Sequence, residues 1–172
     1  QLFINAHIAT GMPGSTAAET AAIQDILVED GKFISIAPHL KATLEAQGKD
    51  MASVEVVDLG GKLVCPPFCD THLHLDYVFT ARKPGAVNES GTLFEGIQRW
   101  SETKADLTVD EIKERAKIGI AKEMRHGVQF IRSHADVTDP NLTSLKALLE
   151  LKEELKDTVT LQIVSFPQEG MY

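Results

Sequence analysis

Three apolar segments in the second part of the chain each end in polar side chains, and stretches with helical periodicity separate them. The apolar segments cover residues 63–76, 128–137 and 159–166. Strands that alternate with helices are typical of a parallel sheet built from crossover connections. The sequence therefore predicts an α/β fold for residues 61–172.

Two capping boxes predict a pair of helices between the first and second strands. Thr92 and Glu95 begin one helix, and Thr108 and Glu111 begin another, which ends before Gly127. A Thr that caps the first turn and a Glu three residues later satisfy free backbone N–H groups. The predicted apolar stripe of the first helix is Leu93, Phe94, Ile97 and Trp100.

A third helix is predicted between the second and third strands. Asp139 is expected at the N-cap and Pro140 at the first helical position, and the periodicity continues to Leu155. The apolar positions include Leu142, Leu145 and Leu149, and the opposite, solvated face carries Lys146, Glu150, Lys152, Glu153 and Glu154.

Residues 1–60 are predicted to form a small β module. Short strands are expected at residues 2–8, 26–29, 32–37 and 54–59, and Asp30-Gly31 is a two-residue turn that favours a hairpin. Residues 11–22 and 38–52 are interpreted as surface excursions. Because so small a module does not bury both of its faces alone, we expect it to be part of a composite β-sandwich.

The composition is that of an ordinary globular protein, with 43% apolar and 24% charged residues and a formal charge of -8. Nucleic-acid binding needs a basic face, which this chain lacks. No apolar run reaches the roughly 20 residues needed to span a bilayer. The expectation is a cytoplasmic protein with neither nucleic-acid nor membrane partners.

The chain has two cysteines, Cys65 and Cys69. Four residues of extended strand span about 13 Å, beyond the reach of a disulfide. We therefore expect both to be free, and to be small buried core residues.

His72 and His74 stand one residue apart at the end of the first predicted strand. In a strand such side chains point the same way, roughly 6 to 7 Å apart, so both imidazoles can face one metal ion. The spacing alone is weak evidence, because pairs of this kind also arise by chance. The other strand ends supply the missing context.

Each predicted parallel strand ends in groups capable of chemistry. In (β/α) barrels the active site lies at the carboxyl ends of the strands, so three such ends indicate one shared face. An open doubly wound sheet would also place ligands there, but no Gly-rich phosphate loop follows the first strand. The groups are Asp70, His72, His74 and Asp76 on the first strand, Arg132, His134 and Asp136 on the second, and Gln168 and Glu169 on the third.

One segment of the sequence resembles the opening of the amidohydrolase superfamily of metal hydrolases, and three later segments resemble, within that superfamily, the bacterial cytosine deaminases. They are GGKLVCPPFCDTHLHLD at residues 60–76, SGTLFEGI at 90–97, RSHADV at 132–137 and LQIVSFPQEG at 161–170. The resemblance implies the first three strands of a (β/α)8 barrel, preceded by the β module. Because such a barrel typically needs about 250 residues, the barrel in this chain is expected to be truncated.

The resemblance also implies site residues. His72 and His74 would bind one divalent metal ion, Fe²⁺ or Zn²⁺. Gln168 would hydrogen-bond the amide-like edge of a pyrimidine, and the backbone near Leu93 would line the same pocket. In the family the remaining ligands and the acid–base residues come from later strands, so no catalytic residue is assigned within this chain.

Metal-bound imidazoles usually donate their second N–H to a neighbouring acceptor. Asp76, His134 and Asp136 are candidates for this supporting role, with Asp70 as another. Arg132 lies on the same strand face as Asp136, so a buried Arg–Asp or His–Asp pair could orient the metal ligands.

The reaction that the resemblance implies is metal-assisted hydrolytic deamination of a nitrogen heterocycle, cytosine to uracil and ammonia, in a full-length and homo-oligomeric protein. The truncated chain alone is expected to be inactive. Two alternatives stay open: an amidohydrolase that acts on a triazine or another cyclic urea-like compound, and a catalytically dead remnant that serves as a binding or assembly module.

Overall fold

The computed structural model describes residues 1–9 and 22–170, which belong to two compact units, Gln1–Pro66 and Pro67–Tyr172. The excursion predicted at residues 11–22 lies outside the described residues except for its last position. The contacts divide the chain at Pro66, whereas the sequence suggested a boundary at residue 60, and the domain organisation stays a prediction.

Within residues 1–9 and 22–66 the first unit is a mixed β-sheet with one α-helix. Its strands run in the order β3-β2-β1-β4, and β5 pairs with β1 as well. The two-residue turn at Asp30 and Gly31 joins β2 to β3, as predicted, and both residues have the positive φ that such a turn requires. The elements are β1 (Leu2–Ile8), β2 (Ile23–Glu29), β3 (Lys32–Ala37), α1 (Leu40–Ala46), β4 (Val56–Asp58) and β5 (Leu63–Val64).

The segment interpreted as an excursion at residues 38–52 contains helix α1, which the sequence analysis missed. Leu40 is buried with Leu2 and Leu27 in the core of this unit. The helix has only seven residues, and His39 before it provides no side-chain cap. Short helices are stabilised by tertiary packing rather than by local propensity, so the local sequence carried little signal.

The second unit is a parallel three-stranded sheet in the order β6-β7-β8 with helices in its connections, as predicted. Two helices link β6 to β7, and one links β7 to β8. The elements are β6 (Phe68–Leu73), α2 (Leu93–Lys104), α3 (Val109–Arg125), β7 (Val128–Asp136), α4 (Thr143–Glu154) and β8 (Thr160–Phe166).

The helices cover one face of this sheet. In the central strand β7, Ile131, Ser133 and Ala135 are buried, whereas Phe130 and Arg132, on the opposite face, are exposed. The main core combines Ile131 and Ala135 with side chains that recur at helical spacing: Ile112, Ala116 and Ile120 of α3 and Ala147, Leu148 and Leu151 of α4.

Both cysteines are free, as predicted, but both are exposed, so their assignment to the core was wrong. Cys69 pairs with the exposed Phe130 of β7, on the side of the sheet that the helices leave open. Apolar character alone does not say which face of a strand is covered.

The two predicted capping boxes differ. Thr108 and Glu111 form the complete reciprocal pair at α3. At α2 the Thr92 hydroxyl accepts from the Glu95 N–H, but the Glu95 carboxylate accepts from the Ser90 N–H at 2.6 Å instead. Hydrogen bonds from the Ser90 side chain and backbone lower the pKa of Glu95 to about 2.

The apolar stripe predicted for α2 is buried only at its end. Trp100 is 4% exposed, whereas Leu93 is 72% and Phe94 is 82% exposed. Neither Leu93 nor Phe94 belongs to the core cluster of the described residues.

Helix α4 begins later than predicted, at Thr143 rather than at Pro140. Leu142, directly before it, has a left-handed backbone conformation. The Asp139 carboxylate accepts from the N–H groups of Asn141 and Thr143, both at 2.9 Å, and so closes the turn that precedes the helix.

The buried face of α4 also differs from the predicted one. Leu142 and Leu149, predicted as core positions, are 37% and 50% exposed, and Leu145 is partly buried. The buried positions are Ser144, Ala147, Leu148 and Leu151.

We predict an acid-dependent contribution of Asp139 to stability. Burial raises the pKa of Asp139, but hydrogen bonds from Thr143 and Asn141 outweigh it and hold the pKa below its usual value. A depressed folded-state pKa stabilises the protein above the unfolded pKa of about 4, and this stabilisation is lost as the pH falls through the folded pKa. The unfolding free energy, measured by urea titration from pH 5 down to pH 2, should fall less steeply in Asp139→Asn than in the wild type.

Asp157→Asn is the matched control, since the Asp157 side chain is exposed and makes no hydrogen bond among the described residues. It should follow the wild-type curve. An Asp139→Asn curve parallel to that of the wild type would refute the prediction.

Candidate active site

Three imidazoles from neighbouring strands meet at the carboxyl edge of the sheet. His72 lies within β6, His74 directly follows β6, and His134 lies within β7. One ring nitrogen from each can be chosen so that all three lie within 4.8 Å of one another. The structure thus brings the two predicted ligands together and adds His134, which the sequence placed in a supporting role.

The rings pack against one another and against Phe166 of β8. His72 stacks on His134 with centroids 4.3 Å apart, and His74 lies 5.3 Å from His72. The Phe166 ring contacts His74 and His134 edge-on, at centroid distances of 5.3 and 5.8 Å. Three adjacent strands therefore fix the cluster.

Hydrogen bonds on both sides of His74 in the chain determine where His74 lies. The Asp70 carboxylate accepts from the His72 backbone N–H at 2.9 Å, at the irregularity in the β6–β7 register. One residue beyond His74, the Leu75 N–H donates to the buried Ser133 hydroxyl of β7 at 3.0 Å. These contacts hold the chain beside β7 after the regular strand pairing has ended.

The electrostatics of the cluster suit a metal ion. Burial, together with the neighbouring His134 and His72 rings, lowers the pKa of His74, so the ring is neutral near pH 7. Neutral imidazole is the form that binds a metal. The buried Nδ1 of His134 has no hydrogen-bond partner among the described residues. Imidazole nitrogen is a donor that suits Fe²⁺ or Zn²⁺.

A cavity of about 440 Å³ adjoins the cluster. It brings together five residues that the sequence selected, namely His74, Asp76, Leu93, Asp136 and Gln168, whereas His72 and His134 are not among its lining residues. Pockets for small molecules are typically of this size or larger. His74 thus belongs to both the imidazole cluster and the cavity.

Side chains that the sequence analysis did not assign to the site form much of the cavity wall. Tyr77, Asn88, Ile97 and Trp100 line it, and Tyr77 contacts Trp100 edge-on at 5.1 Å. Trp100 was predicted only as a packing residue. Its indole nitrogen and the polar end of the neighbouring strand could have indicated a second role.

The two buried aspartates direct their hydrogen bonds away from the imidazoles. Asp76 accepts from the Asp136 backbone N–H at 2.9 Å, and Asp136 accepts from the Trp100 indole at 2.7 Å and the Lys104 ammonium at 2.9 Å. Among the hydrogen bonds of the described residues, neither carboxylate accepts one from the imidazole rings of His72 or His74. The supporting role predicted for Asp76, His134 and Asp136 stays a prediction.

The buried carboxyl groups have opposite pKa shifts. Burial raises the pKa of Asp76, which is 1% exposed. Burial also raises that of Asp136, but hydrogen bonds from Thr138 and Lys104 outweigh it and lower the pKa below its usual value. Asp136 is therefore the more firmly ionised of the pair.

Arg132 does not form the predicted pair with Asp136. Its Nε donates to the Gln162 side chain of β8 at 2.7 Å. Both residues are exposed on the face of the sheet that the helices leave open. Lys104 of α2 takes the place at Asp136 that was expected for Arg132.

Comparison with known proteins gives the family. The family model described as "Amidohydrolase family" matches residues 55–171 of this chain. The chain therefore belongs to this family. N-isopropylammelide isopropyl amidohydrolase of Pseudomonas sp. (strain ADP) is 30% identical over 90% of this chain and 37% of its own length. Pterin deaminase of Rhizobium rhizogenes (strain K84 / ATCC BAA-868) is 28% identical over 86% of this chain and 32% of its own. The chain thus spans about a third of these relatives.

Solved structures agree with this assignment. The 5-methylcytosine deaminase from Klebsiella pneumoniae liganded with 5-fluorocytosine matches with a TM-score of 0.80 and 39% identity, over 99% of this chain and 37% of that one. N-isopropylammelide isopropylaminohydrolase from Burkholderia multivorans ATCC 17616 has a TM-score of 0.73 at 23% identity, over 99% and 38% of the two chains, and supports the fold. The parallel strands β6, β7 and β8 thus belong to an incomplete barrel of the amidohydrolase fold.

Among the described helices, none combines the length and apolar character that crossing a membrane demands.

We predict that the hydrogen bond from Trp100 to Asp136 stabilises the site. Trp100→Phe keeps an aromatic ring and removes a donor from a buried carboxylate, which should lower the unfolding free energy by roughly 1.5 to 3 kcal/mol. Urea denaturation measures the change. Tyr77→Phe, which keeps the edge-on ring contact and removes no donor from Asp136, is the control and should cost less than Trp100→Phe. Equal losses in the two variants would contradict the predicted contribution of this hydrogen bond.

Proposed function

We propose that this chain supplies the metal-binding and substrate-binding edge of a hydrolytic deaminase that acts on a cytosine-type pyrimidine. The observation that carries the proposal is the cavity that extends from the imidazole cluster at His74 to Gln168. The 39% identity to a 5-methylcytosine deaminase over nearly the whole chain supports this substrate class. The activity is proposed for a protein that contains this segment in a complete barrel, and its cytoplasmic location and homo-oligomeric state remain predictions.

His72 and His74 are the residues that would hold the ion, Fe²⁺ or Zn²⁺. Such an ion supplies an activated water molecule for attack on the ring carbon that bears the exocyclic amine. His134 stacks on His72. We assign His134 the role of orienting the His72 ring rather than that of a metal ligand.

Gln168 is the residue with the right chemistry to recognise the substrate. Its side-chain amide offers both a donor and an acceptor, which matches the adjacent carbonyl and N–H of a pyrimidine edge. Trp100, Ile97 and the backbone near Leu93 supply an apolar wall from helix α2. Together they would hold one flat ring with its amine towards His74.

A second candidate is a hydrolase of substituted triazines. The match to N-isopropylammelide isopropyl amidohydrolase over 90% of the chain favours it. Triazines and pyrimidines share the amide-like edge that Gln168 would recognise, so the residues of this segment serve either reaction. The leaving group, ammonia or an alkylamine, distinguishes the two.

The metal assignment predicts different outcomes for the three histidines. His72→Ala and His74→Ala should lower bound Zn²⁺ or Fe²⁺ from about one ion per chain to a small fraction, because each removes a ligand. His134→Phe keeps a ring that can stack on His72 but offers no nitrogen, so it should keep the ion. Metal analysis of the purified, metal-loaded proteins measures this, and circular dichroism shows whether each variant folds.

Loss of metal in His134→Phe would make His134 a ligand, contrary to this account. Full metal content in both alanine variants would refute the proposed centre. His126→Ala changes a histidine at the end of α3 and is the control.

The substrate assignment is tested with a panel. Metal-loaded protein should release ammonia from cytosine or 5-methylcytosine faster than it releases amine from N-isopropylammelide or ammonia from pterin. Gln168→Leu should raise the KM for the preferred substrate about tenfold, because the substitution removes about one neutral hydrogen bond to the substrate. Gln98→Leu, on the exposed surface of α2, should leave KM unchanged.

Preference for N-isopropylammelide would favour the triazine hydrolase. Absence of turnover on the whole panel by protein that binds its metal would favour the non-enzymatic alternative.

A further inference from the structure

Lys104 is a partly buried cation that joins helix α2, strand β7 and the turn after β8. Its side chain is 11% exposed and lies in the last turn of α2. The ammonium donates to Asp136 Oδ2 at 2.9 Å, Thr138 Oγ1 at 2.6 Å and Glu169 Oε1 at 2.6 Å. An ammonium has three N–H donors, so all of them are used.

The contact to Glu169 fixes the turn that carries Gln168. The Gly170 N–H donates to the Pro167 carbonyl at 3.0 Å, so Gln168 and Glu169 are the two central residues of a tight turn after β8. Gln168 lines the cavity, whereas Glu169 reaches Lys104. A single ion pair thereby anchors one of the two central residues and limits the conformations open to the other.

The same cation also fixes the opposite wall. Lys104 is one helical turn beyond Trp100, and both side chains donate to Asp136 Oδ2. Trp100 lines the cavity from α2. Displacement of Lys104 would therefore release the turn at residues 167–170 and weaken the contact between α2 and β7.

We propose that Lys104 is a positioning residue, which acts through Glu169 to hold Gln168 in the orientation that binds the substrate edge. The kinetic part of this inference rests on the proposed function. The ordering of the turn does not, and it can be measured without substrate.

The matched control is Lys113. Its side chain is 14% exposed and bridges two carboxylates, Glu150 and Glu154, between α3 and α4. Lys113→Met thus removes a clamp of similar burial that does not contact the cavity.

Hydrogen exchange of the complete protein, followed by mass spectrometry, tests the turn. Lys104→Met should speed exchange about tenfold in peptides that cover residues 166–170, because the turn opens more often. Glu169→Ala should do the same, and Glu169→Gln, which keeps an acceptor, should do so less. Lys113→Met should leave these peptides unchanged. Unchanged exchange in Lys104→Met would overturn the proposal, whatever the enzyme's substrate is.

Kinetics test the action through Gln168. With the preferred substrate, Lys104→Met should raise KM about tenfold and change kcat less than about threefold, the pattern of lost substrate binding. Added to Gln168→Leu, the same substitution should raise KM little further, because the two act on one interaction. Independent, multiplied effects on KM would show a purely structural role. Failure of the proposed function would appear separately: the wild type would turn over none of the substrates, while Lys104→Met would still speed exchange in residues 166–170.

Discussion

The parallel pairing of β6, β7 and β8 is the constraint on which the site depends. Strand β7 is hydrogen-bonded to a neighbour on both sides, so its register fixes the positions of both strand ends beside it. The three carboxyl ends then lie at one edge, where His74, Asp136 and Gln168 meet. None of these side chains is close to the others in sequence, and only the sheet brings them together.

Buried charge at this edge is matched by specific partners. Asp136 and Glu169 share the single cation of Lys104, and Thr138 and Trp100 supply further donors. A buried charge without such partners would cost several kcal/mol. The network therefore accounts for a lysine at the end of α2 that is largely shielded from solvent. It also explains how α2, β7 and the turn after β8 keep one arrangement.

Much of this could be predicted from the sequence because the signals were local. Alternating strands and helices, the capping box at Thr108 and the hairpin turn at Asp30 all depend on neighbouring residues. The short helix α1, the late start of α4 and the exposed Leu93 and Phe94 could not be predicted, because each depends on which surfaces other elements cover.

The site, too, could be predicted only in part. His72, His74 and Gln168 stood out by spacing and by resemblance to a family, and the structure places them along one edge. Lys104 did not stand out, because a lysine in the last turn of a helix is ordinarily a surface residue. Its partners lie 32, 34 and 65 residues away in sequence, and no local pattern encodes such contacts.

The central claim is that the strand-end imidazoles form a metal centre beside the substrate cavity. An anomalous-difference map from crystals of the Zn²⁺-loaded protein tests it most directly. The account predicts one peak about 2.0 to 2.1 Å from a ring nitrogen of both His72 and His74. A map with no peak at these two side chains, or with the ion bound elsewhere in the chain, would contradict it.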